Sequence, residues 1–228
     1  MHTSPEIVNL AYAALVAFFI GAIPAAYVAA RLHGINIFDV GSRQAGATNV
    51  WKNVSRKTGF IVFIIDVAKG IITVLISRYI FEVSGLLFLV PAIGVIFGHW
   101  FSPMTKFKGG DGVASLGGLV VGLFEWAALP AVIVAIAFGL PPLRFKFDHP
   151  SLQAGVTGWG VLLLTVAVAS PSDQRTELLI LYVGISLLAL AVLLKSVRFH
   201  KQNSHLFGRE ANVEPGEFEE RRPAESEN

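Results

Sequence analysis

The chain has 228 residues, of which 54% are hydrophobic and only 15% charged, against roughly a quarter charged in an ordinary soluble domain. With a mean hydropathy of +0.62 it reads as an integral-membrane protein, and the absence of cysteine excludes disulfides, thiolate catalysis and cysteine-based metal sites. A pI near 9.0 does not indicate a nucleic-acid partner, because the formal net charge is only +2 and the basic residues stand between apolar runs, where topology accounts for them.

A membrane span needs about 20 mostly apolar residues. Residues 7–30 supply the first, with Pro24 as a predicted kink. The stretch Met1–Glu6 carries no basic region, so a cleaved leader is not expected. Residues 40–49 then form a glycine-rich polar island, Val-Gly-Ser-Arg-Gln-Ala-Gly-Ala-Thr-Asn. The second span is predicted over 59–77, although it contains Asp66 and Lys69. A short third follows over 86–98 and leads into a second island, Lys-Phe-Lys-Gly-Gly-Asp-Gly, at 106–112. Residues 113–139 are too long and too punctuated, by Glu125 and Pro130, for one straight helix; they read as two short segments with a turn near 124–129. Residues 152–169 and 178–194 complete about seven segments of an all-α polytopic bundle. Residues 1–211 are thus expected to form one membrane domain, and the acidic, polar tail at 212–228 is expected to be disordered.

Charge orients the spans. With the N-terminus outside and the C-terminus cytoplasmic, most basic residues outside the spans fall on the cytoplasmic side, and of those bordering the spans only Arg78 and Arg175 fall on the other. The same orientation brings both islands and the basic segment after the last span to one face.

Lipid penalises unsatisfied backbone, so a glycine-rich loop at a bilayer needs protein, water or a ligand for its amides. In the first island Gly41 and Gly46 permit close backbone approach, Ser42, Thr48 and Asn49 offer short polar groups, and Arg43 and Lys52 offer charge. The order is neither a Walker A loop nor a dinucleotide fingerprint. An ordinary interfacial loop explains it as well as an anion site does. In the second island Gly109, Gly110 and Gly112 enter a helix beside Lys106 and Lys108, the composition of an anion-binding nest. Asp111 opposes a bound phosphate and equally suits a helix cap. Asp66 and Lys69 stand three apart on one helix face and can pair, unless Lys69 snorkels to the surface. His99 reads as an interfacial hydrogen-bonder. His200 and His205 are spaced poorly for metal ligation, so no metal is expected.

In this order and spacing the residues resemble a known family. Gly41-Ser42-x-x-x-Gly46-Ala47-Thr48-Asn49 precedes Asp66-x-x-Lys69-Gly70. Gly98-His99 leads to Phe107-Lys108-Gly109-Gly110-x-Gly112-Val113-Ala114, and His200-x-x-Asn203 and Gly208-x-Glu210 follow the last span. The pattern, from Gly21 to Glu210, is similar to the bacterial acyl-phosphate:glycerol-3-phosphate acyltransferases of the PlsY type. The resemblance implies a seven-helix enzyme of the bacterial cytoplasmic (inner) membrane. It would acylate the 1-position of glycerol-3-phosphate from acyl phosphate, giving lysophosphatidic acid and phosphate in phospholipid synthesis, with no cofactor or metal. Its partners would be the two substrates, the bilayer and, by functional coupling, an enzyme that produces acyl phosphate. It implies catalytic roles for Ser42, Lys108, His200 and Asn203. Phosphate binding would fall to Arg43, Gly46, Thr48, Asn49, Lys52, Lys106, Gly109, Gly110 and Gly112, supported by Asp66, Lys69, His99, Ser115 and Glu210.

The sequence also departs from that pattern. Arg43-Gln44 replace a Gly-Asn pair, Lys52 stands for an arginine, Asp111 for a lysine and Ser115 for a threonine. The stretch from Asn203 to Glu210 is two residues shorter than in that pattern, so the family's arginine there has no clear counterpart, and Arg43 is expected to compensate for Asp111, by a salt bridge or by replacing its charge. Two other readings stay open: a paralogue with a changed acceptor or without catalysis, and a small-anion transporter. The last fits least well, because transporters place broken helices and ionisable groups near the midplane.

Overall fold

The computed structural model describes residues 5–139 and 150–210, with side chains described over 5–137 and 156–198. The tail at 212–228 lies outside the described residues, as do the side chains of His200, Asn203 and Glu210, whose backbones belong to the last helix. Among the described residues all regular structure is helical. The elements are α1 (Pro5–Ala22), α2 (Ala25–Arg31), α3 (Ala47–Asn53), α4 (Arg56–Tyr79), α5 (Leu89–Trp100), α6 (Val113–Phe124), α7 (Ala128–Gly139), α8 (Pro150–Ala169) and α9 (Ser172–Glu210).

Among the described residues, five helical stretches are long and apolar enough to cross a membrane: Pro5–Arg31, Arg56–Tyr79, Gly85–Thr105, Val113–Ala137 and Ser172–Arg198. Val156–Ala169 is a shorter apolar helix. The protein is a multi-pass membrane bundle. Large apolar side chains such as Ile61, Ile133 and Leu187 stand exposed along its outside, which lipid tolerates and water would not. The break predicted near 124–129 is present: a 3₁₀ turn over Glu125–Ala127 separates α6 from α7, with Glu125 at φ +48°. Earlier in the chain, Ser55 caps α4 by accepting from the Thr58 amide at 3.4 Å.

Small residues set the helix crossings, as they must where lipid supplies no hydrophobic drive between spans. A Cβ on Gly98 would lie 2.0 Å from the Phe18 carbonyl, and one on Gly21 equally close to that of Val95, so α1 and α5 meet backbone to backbone. Gly118 meets the Val67 carbonyl, and Gly70 that of Ser115, in the same manner across α4 and α6. One core cluster, around Val95, Ile96, Leu119 and Ile185, fills the bundle. A second, around Ile37, Val50 and Val62, seats the first island on α2, α3 and α4. Both islands and the C-terminal half of α9 consequently lie at one end of the bundle, the end where α1 breaks into α2.

Candidate active site

The site begins with the helix break at Pro24. Proline has no N–H and interrupts the ladder, leaving carbonyls that need donors at membrane depth. Ser102 Oγ donates to the Ala22 carbonyl at 2.6 Å and Lys69 Nζ to that of Ile23 at 2.7 Å. Lys69 is itself held by Asp66 Oδ1 at 2.6 Å, and His99 Nδ1 stands 3.9 Å from the same oxygen. Asp66, Lys69 and His99 are 2%, 3% and 6% exposed. Lys69 therefore does not snorkel: the broken helix offers its ammonium a carbonyl and a carboxylate inside the protein.

The second island is shaped by side chains that grip its carbonyls. Thr105 Oγ1 donates to the Lys108 carbonyl, Lys195 Nζ to that of Gly110 at 2.6 Å, and Trp100 Nε1 to that of Asp111 at 2.6 Å. Lys106 and Phe107 turn the chain with φ of 55° and 60°, and Gly112 with φ of 90°. No side chain fits at the next two glycines: a Cβ at Gly109 would meet the His99 carbonyl at 2.0 Å, and one at Gly110 the His99 Nε2 at 2.5 Å and the Ala45 carbonyl at 2.6 Å. The amides of Gly109, Gly110, Asp111 and Gly112 have no acceptor among the described residues. Asp111 Oδ1 accepts from the Val113 amide at 3.3 Å, just ahead of the Gly112 N-cap of α6, which has no side-chain cap. Lys108 is exposed, its ammonium 5.7 Å from the Phe38 ring centroid.

The first island is organised by Asn49. Its Nδ2 donates to the carbonyls of Ile37, Val40 and Gln44 at 3.2, 3.1 and 2.9 Å, while its Oδ1 accepts from the Ser42 amide at 3.3 Å and from Asn53 Nδ2 at 2.8 Å. The Asn49 amide is thereby engaged with the loop's own backbone. Gly41 takes φ of 51° under Asn49 and Asn53, and Arg43 takes φ of 55° where the family pattern has glycine. Arg43, Thr48 and Lys52 are exposed, Ser42 is half-buried, and Gly46 precedes α3 with open space beside it.

The two islands touch where Ala45 packs on Gly110. Between them runs a narrow cleft with about 10 Å³ of water-accessible space, bordered by Ala45, Asp66, Lys69, His99, Ser102, Thr105, Lys108, Gly109 and Gly110. Of the residues singled out from sequence, the cleft gathers Asp66, Lys69, His99, Lys108, Gly109 and Gly110. Ser42, Arg43, Gly46, Thr48, Asn49, Lys52, Lys106, Gly112 and Ser115 do not border it. Ser115 is fully buried in the first turn of α6, its hydroxyl without a partner among the described residues. The expected Arg43–Asp111 salt bridge is not formed. Arg43 is exposed on its left-handed turn, and among the described residues Asp111 forms no salt bridge. Sequence reasoning missed Ser102, Thr105, Trp100 and Lys195. The Pro24 kink was a signal for Ser102, since its freed carbonyls require donors.

Lipid-facing helices that close one end of a bundle with two glycine-rich loops over a buried Asp–Lys–His group define a polytopic membrane protein. The chain belongs to the glycerol-3-phosphate acyltransferase family, whose model matches residues 11–207. A glycerol-3-phosphate acyltransferase of Hydrogenobaculum sp. (strain Y04AAS1) is 37% identical over 117 residues, 51% of this chain and 60% of the relative. Glycerol-3-phosphate acyltransferase 1 of Deinococcus radiodurans is 38% identical over 152 residues, 67% of this chain and 76% of that one. The matched stretch thus spans 60% of the length of the first of these relatives. The fold is also that of PlsY (YgiH), an integral membrane glycerol 3-phosphate acyltransferase. Its crystal structure in the glycerol 3-phosphate form aligns with a TM-score of 0.65 at 27% identity, and covers 88% of this chain and 93% of that chain. The lysophosphatidic acid form gives 0.63 at 26%.

Proposed function

We propose that the protein transfers a fatty acyl group from acyl phosphate to the 1-position of glycerol-3-phosphate, releasing phosphate and lysophosphatidic acid for phospholipid synthesis. The observation that carries this reading is the meeting of the two glycine-rich islands at Ala45 and Gly110, beside Lys108 and a run of amides without acceptors among the described residues. Both substrates bear phosphate, and such amides with a nearby ammonium bind oxyanions.

Acyl phosphate is a mixed anhydride and arrives activated. The glycerol hydroxyl attacks the acyl carbon, negative charge gathers on the carbonyl oxygen, the C–O bond to phosphate breaks, and the hydroxyl proton passes to His200 or to the departing phosphate. Holding the two substrates together and stabilising that charge supply most of the rate. In this reading Lys108 with the amides of Gly109, Gly110 and Gly112 receives one phosphate. Ser42, Arg43, Gly46, Thr48, Asn49, Lys52 and Lys106 build and charge the facing loop. His200 and Asn203 position the hydroxyl or the carbonyl, and Glu210 supports them. Asp66, Lys69 and His99 hold the floor, with Ser115 behind it on α6. The cleft has room for about one water-sized group. The reading includes seven crossings of a bacterial inner membrane, with the N-terminus outside, the C-terminus and both islands cytoplasmic, and functional coupling to an enzyme that makes acyl phosphate.

Asp111, at a position where the family pattern has lysine, favours a second reading: a changed acceptor or loss of catalysis. Purified protein given palmitoyl phosphate and labelled glycerol-3-phosphate separates the two. Lysophosphatidic acid is expected from wild type, with losses of about 100-fold or more in Lys108→Ala and His200→Ala. No product from folded protein, alongside an active family member, would overturn the first reading.

A further inference from the structure

We propose that Lys195 is a positioning residue that fixes the direction of the Gly110–Asp111 peptide and so sets which way its N–H points. The inference rests on the reading of the second island as a phosphate-receiving loop. Lys195 lies on α9, far along the chain from the island, and its Nζ donates to the Gly110 carbonyl at 2.6 Å. The same ammonium stands 5.0 Å from the centroid of the Trp100 ring, a cation–π distance. Trp100 in turn donates through Nε1 to the next carbonyl, that of Asp111, at 2.6 Å. Two side chains in mutual contact thus hold two successive carbonyls.

In a trans peptide the C=O and the following N–H point in opposite directions, and the described residues contain no cis peptide. Tying the Gly110 carbonyl toward α9 therefore turns the Asp111 N–H away from α9, and tying the Asp111 carbonyl toward Trp100 turns the Gly112 N–H away from Trp100. Neither amide has an acceptor among the described residues. A glycine peptide without such a hold samples many orientations, and Gly110 cannot carry a side chain of its own to restrict them. Finally, Lys195 precedes His200 by about 7.5 Å of helix, so the hold couples the loop to the element that carries His200 and Asn203.

The test compares wild type with Lys195→Met, which keeps the aliphatic stem over Trp100 and removes the ammonium, and with Lys195→Arg. Three quantities are read: kcat and KM for acyl transfer, thermal unfolding, and binding of inorganic phosphate. Lys195→Met is expected to lower kcat at least about tenfold, with KM for glycerol-3-phosphate within about threefold and an unfolding temperature near wild type. Lys195→Arg should restore most of the rate. Wild-type kcat in Lys195→Met would overturn the proposal. So would equal losses in both variants together with a fallen unfolding temperature, the mark of a merely structural lysine. If wild type makes no lysophosphatidic acid, the acyltransferase reading falls, and phosphate binding decides this one. Binding weakened about tenfold or more in Lys195→Met supports the hold, while equal binding, or none by wild type, overturns it.

Discussion

At the scale of single residues, the first island departs from the family pattern most sharply at Arg43. The backbone there has φ of 55°, a left-handed conformation that disfavours any residue with a Cβ by roughly 1–2 kcal/mol. Arginine has replaced glycine without releasing the turn, because Asn49 holds the loop on both sides of it through Val40, Ser42 and Gln44. Arg43→Gly should remove that strain, partly offset by the greater freedom of glycine in the unfolded chain. The expected result is an unfolding temperature higher by about 1–3 °C. If Arg43 holds substrate phosphate, KM for glycerol-3-phosphate rises in the same variant. Stability and affinity then move in opposite directions, and a fall in unfolding temperature would contradict the strain argument. Lys195 is the complementary case. Its charge was visible in the sequence and was read as a topology signal, since nothing local distinguishes a lysine that snorkels from one that reaches a carbonyl 85 positions away.

At the scale of elements, the helices and their breaks were largely legible. Apolar length marked the spans, Pro24 marked the end of α1, and Glu125 with Pro130 marked the joint between α6 and α7. The three-residue spacing of Asp66 and Lys69 announced their pairing. The rest of their surroundings was not legible, because it depends on how α1, α4 and α5 pack. Spacing within α4 says nothing about Ser102, which lies 80 positions from the carbonyl it serves. That hydrogen bond is testable. Ser102→Ala leaves the Ala22 carbonyl without its donor in a buried place, which costs about 1–3 kcal/mol. It should lower the unfolding temperature by about 2–12 °C and loosen the floor of the cleft. No change in unfolding would mean that the break at Pro24 finds another donor.

At the scale of the whole molecule, one end of the bundle carries both islands and Lys195, and the other carries Arg78 and Arg175. Arg78 pairs with Glu125 and stands over Phe88, while Arg175 donates to the Ser170 carbonyl at 2.9 Å. Because the chain has no cysteine, single cysteines report its topology without background. In sealed inverted vesicles, Lys52→Cys is expected to react with a membrane-impermeant maleimide, whereas Glu82→Cys should react only after permeabilisation. The opposite pattern would reverse the orientation, and reaction of both would place the two loops on one side. The glycine-mediated crossings make α1 with α5, and α4 with α6, stiff pairs in this frame. The first island is different. Among the described residues the hydrogen bonds of Asn49 and Asn53 run between neighbours in sequence, and the loop packs on the second island at Ala45 and Gly110. A loop whose polar network closes on itself behaves as a cartridge set into the membrane scaffold: mutation can redraw it, as at Arg43 and Gln44, while the crossings that keep the spans together are left untouched. Changes in that loop can thus accumulate without first risking the fold.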